Sequence, residues 1–187
     1  MTGKEKFEKF NFIIKISIKL ANLLPRVLRV FLYNVFMSMP SVIGVAIRYI
    51  LIKTLINQCG DNVYISRWVT IKNFERINIG NNVSIHEYSY IDGLGYIDIG
   101  DNVSIAHNSS LISFEHSFSK KKPIKYQALL LNKISISDDV WIGCGCRILS
   151  GTNIHSHTVI GANSVVKNII SSDSLYAGSP AKKIKDI

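Results

Sequence analysis

Aliphatic residues recur at every sixth position over much of the chain, and this spacing predicts the fold. Isoleucine or valine occupies positions 136, 142, 148, 154, 160 and 166. Four residues after each of the first five stands a small or β-branched residue: Val140, Cys146, Thr152, Thr158 and Ser164. Helices show apolar spacings of three and four, and ordinary strands alternate at two. A period of six predicts a hexapeptide β-helix, in which aliphatic side chains stack inside, coil upon coil.

The earlier part of the chain repeats the same pattern in three shifted phases. The aliphatic positions are Ile65, Ile71 and Ile77, then Ile79, Ile85, Ile91 and Ile97, then Ile99, Ile105 and Leu111. Three hexads would make one triangular coil, so aliphatics eighteen residues apart should stack, as in Ile136 with Ile154 and Ile79 with Ile97. Gly, Asn and Asp cluster at 80–82, 100–102, 137–139 and 161–163. These residues tolerate left-handed backbone and are expected at the corners.

Composition and charge divide the 187 residues into two parts. Hydrophobic residues make up 47% of the chain, which is enough for one core and an appendage. Residues 58–187 are predicted to form the β-helix domain, with an extruded loop at 113–133 and a carboxyl-terminal tail at 171–187. Residues 1–57 hold nine Lys or Arg and two Glu, so they carry +7 of the net charge of +9. This segment is both basic and apolar.

The amino-terminal segment is predicted to be helical. Polar residues fall on one helical stripe at positions 4, 8, 15, 19, 22, 26 and 29, and apolar residues occupy the remaining surface. A bend is expected at Pro25, and Pro40 should divide the uncharged run 30–47 into two short helices rather than a membrane span. Residues 1–57 could therefore lie on an anionic membrane surface or pack against the β-helix or another subunit. The cations are diluted among aliphatics, so nucleic acid is not an expected partner.

The three cysteines, Cys59, Cys144 and Cys146, argue against a disulfide framework and indicate a reducing compartment. They form no pattern that is typical of a zinc site. We therefore expect no structural metal and assign the cysteines structural roles.

The hexads stop between Leu111 and Ile136, where the chain leaves the coil as a loop containing His116. Loops on a rigid scaffold commonly carry reactive residues. The motifs around it are 97–106 (IDIGDNVSIA), 140–143 (VWIG), 159–166 (VIGANSVV) and 177–182 (AGSPAK). With the loop histidine, they resemble the hexapeptide-repeat acyltransferases. The resemblance covers residues from about 60 to the end, and is closest to sugar O-acetyltransferases of the galactoside and maltose types and those that modify capsule or colanic acid.

The resemblance implies a left-handed parallel β-helix, against the usual right-handed crossover rule, and trimers with active sites between adjacent prisms. It implies that His116 is the general base. It places Asp92 and Trp141 at the acceptor sugar, and Trp141, Gly143, Ala162, Lys167, Lys182 and Lys183 at acetyl-CoA. The family often has Thr-Lys where this chain has Lys167-Asn168, so the cation is offset by one position.

The predicted function is the transfer of acetyl from acetyl-CoA to a sugar hydroxyl, without a metal, in bacterial cell-surface polysaccharide biosynthesis. The acceptor could be lipid-linked, with the protein in the cytoplasm or peripheral on the inner face of the plasma membrane. One alternative is a zinc enzyme similar to γ-class carbonic anhydrase, using His86, His107 and His116, although spacings of 21 and 9 do not match that family. Another is a non-catalytic, membrane-docked scaffold.

Overall fold

Three helices precede the β-structure in the computed structural model, which describes residues 3–120 and 122–187. They are α1 (Gly3–Asn22), α2 (Arg26–Phe36) and α3 (Ser41–Leu55). Pro25 directly precedes α2 and Pro40 directly precedes α3. Proline lacks the N–H that an interior helical turn needs, so the chain is interrupted at the two predicted positions. Among the described residues, none of these helices combines the length and apolarity needed to cross a bilayer.

Residues 58–187 wind into a parallel β-helix with three flat sheets. Sheet A contains β1 (Gln58–Cys59), β4 (Ile77–Ile79), β7 (Ile97–Ile99), β12 (Ile134–Ile136), β15 (Asn153–Ile154) and β18 (Ile169–Ile170). Sheet B contains β2 (Tyr64–Ile65), β5 (Ser84–Ile85), β8 (Ser104–Ile105), β13 (Val140–Ile142), β16 (Thr158–Ile160), β19 (Ser174–Gly178) and β20 (Ala181–Asp186). Sheet C contains β3 (Thr70–Lys72), β6 (Tyr90–Asp92), β9 (Ser110–Ile112), β14 (Arg147–Ile148) and β17 (Val165–Val166).

Two antiparallel pairs interrupt this winding. A hairpin of β10 (Phe114–His116) and β11 (Leu129–Leu131) leaves the coil where the loop was expected. The segment 171–187, expected as a tail, instead forms β19 and β20, and β19 extends sheet B by parallel pairing with β16. Parallel pairing with β16 satisfies the hydrogen-bonding groups on one edge of β19. The strand β20 pairs with the other edge of β19, at the end of this sheet.

The predicted aliphatic ladder forms the core. All six of its members, from Ile136 to Val166, are at most 3% exposed, and so is every member of the earlier phases except Ile71, at 5%. Ile136 pairs with Ile154 as expected, but Ile79 pairs with Ile99 and not with Ile97. The early coils are twenty residues long, since Tyr64 pairs with Ser84 and Ser84 with Ser104. Two extra residues at the corner between sheets C and A cause both this difference and the phase shifts.

Asparagine side chains connect successive coils at the corner between sheets A and B. Asn62, Asn82 and Asn102 all have left-handed backbone, with φ of 55°, 55° and 58°. The Asn62 side chain donates to Asn82 at 3.0 Å, and Asn82 donates to Asn102 at 3.1 Å. Asparagine tolerates the left-handed conformation, and its side-chain amide supplies both a donor and an acceptor. One residue type therefore provides the corner conformation and the hydrogen bonds between coils.

Arg48 joins the helices to the first coil. Its side chain is only 1% exposed, and burial lowers the pKa of the guanidinium. It donates to the carbonyl of Ile65 at 2.9 Å, and to those of Met39 and Phe36 near the end of α2 at 2.7 and 3.2 Å. Cations favour helix carboxyl termini, and these carbonyls replace the water that the guanidinium loses.

The first two helices bury only part of the apolar surface that their sequence pattern provides. Of the apolar positions predicted for residues 1–29, Ile14 is buried at 8% exposed, whereas Ile13 and Leu20 are 59% and 60% exposed. Both α1 and α2 pack on α3, so each covers only a narrow side. The polar stripe is present in the sequence, but much of the apolar remainder faces outward.

Replacement of Arg48 by Met should lower the free energy of unfolding by about 2–4 kcal/mol, because several buried carbonyls would lose their donor. Urea denaturation measures this change. Arg67→Met is the matched control, since Arg67 is exposed in the first coil and its loss should cost less than about 0.5 kcal/mol. Equal unfolding midpoints for the two variants would contradict this account of the helix attachment.

Candidate active site

The hairpin that carries His116 is anchored to the coil by Ser113. The Ser113 side chain is fully buried and donates to the carbonyl of Asp92 at 2.7 Å, while the N–H of Gly95 donates to its hydroxyl at 2.8 Å. On the returning strand, the N–H of Asn132 donates to the carbonyl of Ser113 at 3.1 Å. Both strands are therefore fixed at their base by buried hydrogen bonds.

His116 ends the first strand of the hairpin, opposite Leu129, and its side chain is exposed. The loop beyond it is closed by Gln127, which is 7% exposed. The Gln127 amide accepts from the N–H of Ser119 at 2.7 Å and donates to the carbonyls of Ser119 and Lys122 at 2.8 and 2.7 Å. Sequence reasoning missed Gln127, because a glutamine in a loop carries no signal of burial. Lys121, between Lys120 and Lys122 in the sequence, lies outside the described residues.

Glu115 and Lys167 form an ion pair beside His116. The Lys167 ammonium lies 2.9 Å from the Glu115 carboxylate, and both side chains are partly exposed. Neighbouring side chains of a strand point to opposite faces, so Glu115 is directed away from the His116 side of β10. A phosphate that approached Lys167 would compete with Glu115 for the ammonium.

Asp92 lies at the root of the same hairpin and is 5% exposed. Its carboxylate accepts hydrogen bonds from the Asn73 amide at 2.6 Å, the N–H of Leu94 at 3.2 Å and the Tyr90 hydroxyl at 3.2 Å. Three donors satisfy the buried charge, and this arrangement stabilises the corner between sheets C and A. An acceptor sugar would reach Asp92 only by sharing or replacing these donors.

Trp141 and Gly143 lie on another side of the prism. Trp141 is 56% exposed on β13 in sheet B, between Ser104 and Val159 of the neighbouring strands. Gly143 follows at the corner between sheets B and C, stacked on Ala162 of the next coil. A Cβ at Gly143 would come within 2.7 Å of the Ala162 nitrogen, so only glycine fits there. The N–H of Gly143 donates to the carbonyl of Ile160 at 2.8 Å and is therefore engaged within the coil. This N–H is therefore not free to donate to a ligand.

Lys182 and Lys183 extend the same side of the molecule, because they lie on β20 and pair with Ala177 and Tyr176 of β19. Lys183 is exposed and forms an ion pair with Asp186 at 2.6 Å, and the hydrogen bond to this carboxylate raises the pKa of the ammonium. Both ammonium groups are accessible for an anionic ligand.

The eight predicted site residues thus fall into two groups on different surfaces. The hairpin group consists of His116, Asp92 and Lys167, at the corner between sheets C and A. The sheet B group consists of Trp141, Gly143, Ala162, Lys182 and Lys183. One chain does not bring the two groups together.

The histidines of the zinc alternative are also separated. His86 and His107 lie at the corner between sheets B and C, whereas His116 lies on the hairpin. Within the described part of the chain, no three His, Cys, Asp or Glu side chains converge as a metal site.

Residues 133–168 match a family model described as bacterial transferase hexapeptide (six repeats). The putative lipopolysaccharide biosynthesis O-acetyl transferase WbbJ of Escherichia coli (strain K12) is 34% identical over 128 residues, which are 67% of this chain and 58% of that protein. The chain thus spans 58% of the length of this relative, and it spans 21% of the length of another, the probable acetyltransferase Rv3034c of Mycobacterium tuberculosis (strain ATCC 25618 / H37Rv).

Solved structures with the same fold cover more of the chain. A galactoside acetyltransferase in complex with coenzyme A superposes with a TM-score of 0.77 at 30% identity, over 86% of this chain and 80% of that one. The hexapeptide-repeat acetyltransferase VCA0836 from Vibrio cholerae superposes with a TM-score of 0.72 at 26% identity, over 90% and 92%. The aliphatic hexads, the parallel coils and these matches agree, and the chain belongs to the hexapeptide-repeat acetyltransferase family.

Proposed function

We propose that this protein transfers an acetyl group from acetyl-CoA to a hydroxyl of a sugar. The observation that carries the proposal is the histidine hairpin on a coil scaffold that is 30% identical to a galactoside acetyltransferase with bound coenzyme A. The cofactor is a co-substrate, and the proposed chemistry needs no metal.

His116 acts in this proposal as the general base. It takes the proton from the acceptor hydroxyl while the oxygen attacks the thioester carbonyl. The tetrahedral intermediate then collapses, the carbon–sulfur bond breaks, and the protonated imidazole returns the proton to the leaving thiolate. Imidazole suits both transfers because its ordinary pKa is close to neutral pH. The buried anchors at Ser113 and Gln127 fix the backbone on both sides of His116.

The sheet B group would hold acetyl-CoA. The pantetheine arm would run along the stacked corner at Gly143 and Ala162, where the absence of a Cβ at Gly143 lets the two coils approach closely. Trp141 would flank the thioester. Lys182 or Lys183, which point to opposite faces of β20, would face the phosphates, and Lys167 of the copy that supplies the hairpin would add a further cation once released from Glu115.

The separation of the two groups supports an active site between copies of the chain. Because His116 and Trp141 lie on different sides of one prism, the hairpin of one copy has to meet sheet B of another. A closed ring of three copies would complete three equivalent sites, as the family resemblance implies. We therefore propose a homotrimer as the active form.

The acceptor is proposed to belong to a bacterial cell-surface polysaccharide. The supporting observation is the 34% identity to a protein named as a putative lipopolysaccharide biosynthesis O-acetyl transferase. The sugar and the hydroxyl would be identified with a panel of acceptors, including lipid-linked glycans. Such acceptors would place the protein on the cytoplasmic side of the membrane.

His116→Ala should reduce acceptor-dependent thiol release from acetyl-CoA by about 100-fold or more, because proton transfer would lose its base. His155→Ala is the matched control, since His155 is also exposed but lies on a regular coil away from the hairpin. Circular dichroism verifies that both variants are folded. Unchanged turnover in His116→Ala would remove the proposed mechanism. If no sugar acceptor in the panel promoted thiol release, that result would contradict transfer to a sugar.

Mixed oligomers test the shared site directly. His116→Ala and Trp141→Ala chains, each inactive alone, should recover about a third of wild-type turnover when they are co-expressed with different tags and only the mixed oligomers are purified. A third is expected because every ring of three that contains both variants has one junction, of its three, that pairs an intact hairpin with an intact sheet B. Absence of recovery would show that each chain uses its own two groups.

A further inference from the structure

Helices α1 and α2 and the turn between them present a set of apolar side chains to the outside of the molecule. Three of the seven residues are spaced four apart on α1, three are spaced four apart on α2, and Leu23 lies in the turn between the helices; all are between 43% and 82% exposed. We call them the outward stripe: Phe12, Ile16, Leu20, Leu23, Val27, Phe31 and Val35.

The outward stripe lies opposite the side on which the helices pack. Ile14 is 8% exposed and Ala21 is 9% exposed, and they mark the buried side of α1. Ile14 is two residues from both Phe12 and Ile16, which is more than half a turn around the helix. On α2, Tyr33 is fully buried, and its hydroxyl donates to the carbonyl of Val69 in the first coil at 2.7 Å. The helices are therefore attached to the coil through other residues, and the stripe does not contribute to the core. An exposed apolar surface of this extent marks an interaction site.

The charge around the stripe is predominantly positive. From Lys9 to Lys53 the sequence contains seven Lys or Arg and no Asp or Glu, and the exposed carboxylate of Glu8 lies one turn before Phe12. Lys9, Lys15 and Lys19 are exposed on α1 and stand one turn or less from stripe residues. Arg26 forms an ion pair with Glu75 of the coil, and Arg29 donates to the carbonyl of Thr54. The three lysines are thus the cations that accompany the exposed stripe on α1.

A stripe-to-stripe contact between two copies is a poor fit for this surface, because it would bring Lys9, Lys15 and Lys19 of both chains together with only the carboxylates near the start of α1 to compensate them. The ring of three proposed above is formed by the hairpin and sheet B, and the stripe belongs to neither. An anionic lipid surface satisfies both features, since the acyl boundary accepts the apolar stripe and the headgroups attract the lysines.

We propose that the outward stripe docks on an anionic bilayer, with α1 and α2 lying in the interfacial plane and the β-helix in water. This inference goes beyond the proposed acetyl transfer, because docking requires neither acetyl-CoA nor His116. It would hold an enzyme of this kind beside glycans that are carried on lipids.

Vesicle flotation of the full chain tests the proposal. The protein should float with phosphatidylcholine vesicles that contain phosphatidylglycerol, and should bind vesicles of phosphatidylcholine alone at least tenfold more weakly. Leu23→Ser with Val27→Ser should weaken binding to the anionic vesicles by tenfold or more, since each residue is at least 80% exposed in the free protein and would be buried in lipid. Lys15→Glu with Lys19→Glu should have a similar effect through charge.

Tyr88→Ser with Ile169→Ser is the matched control, because these residues are 62% and 70% exposed on the β-helix and their replacement should leave vesicle binding unchanged. If the wild-type chain stayed at the bottom of the gradient and did not float with the anionic vesicles, the proposal would be overturned. Unchanged vesicle binding by the Leu23→Ser/Val27→Ser variant would also overturn it. A smaller oligomer for that variant in light scattering would show that the stripe contacts a second copy and would also overturn it. Acetyl transfer to a soluble acceptor should be unchanged in this variant. Loss of docking is therefore distinguishable from loss of chemistry.

Discussion

The stacking of inward aliphatic side chains from coil to coil is the constraint on which the rest of the structure depends. Burial of each isoleucine side chain contributes roughly 1.5–3 kcal/mol to the stability of the fold, and each side chain stacks on a partner in register. The register continues across the hairpin, because Ile134 pairs with Ile97 and Ile136 with Ile99. The core is therefore uninterrupted where the chain leaves it. This continuity allows the hairpin to project from a corner without weakening the scaffold.

The same rigidity determines where the chemistry can occur. Side chains at one corner of a prism do not reach another corner, so His116 and Trp141 are held apart by the fold itself. The polar outer face of sheet A, with the Asn78 amide bonded to Asp98 and Lys133 paired with the same carboxylate, is suited to water. In the proposed trimer, the corners that carry the hairpin and Gly143 would lie at the contacts between copies, and symmetric assembly would convert two incomplete surfaces into complete sites.

The sequence predicted the β-helix because its side chains obey one period, and it predicted the helix breaks at Pro25 and Pro40 because proline acts locally. It did not predict that Ile79 stacks on Ile99, since two extra residues at a corner preserve the aliphatic spacing but lengthen the coil. Gln127 and the pair of Glu115 with Lys167 depend on how the loop folds back, and no local pattern encodes that. The sequence left open whether Leu23 and Val27 are exposed, because an apolar helical position indicates burial only when a neighbouring element covers it. The roles of His116 and Asp92 stay predictions that rest on the family.

In the proposed enzyme, acetyl transfer needs the hairpin of one copy and sheet B of another. The most direct measurement is acetyl transfer assayed across a size-exclusion column with in-line light scattering, during dilution of the protein. The account predicts that turnover coincides with a species of about 63 kDa, three times the 21.0 kDa chain, and disappears as this species dissociates. Full turnover in a 21.0 kDa fraction would contradict it.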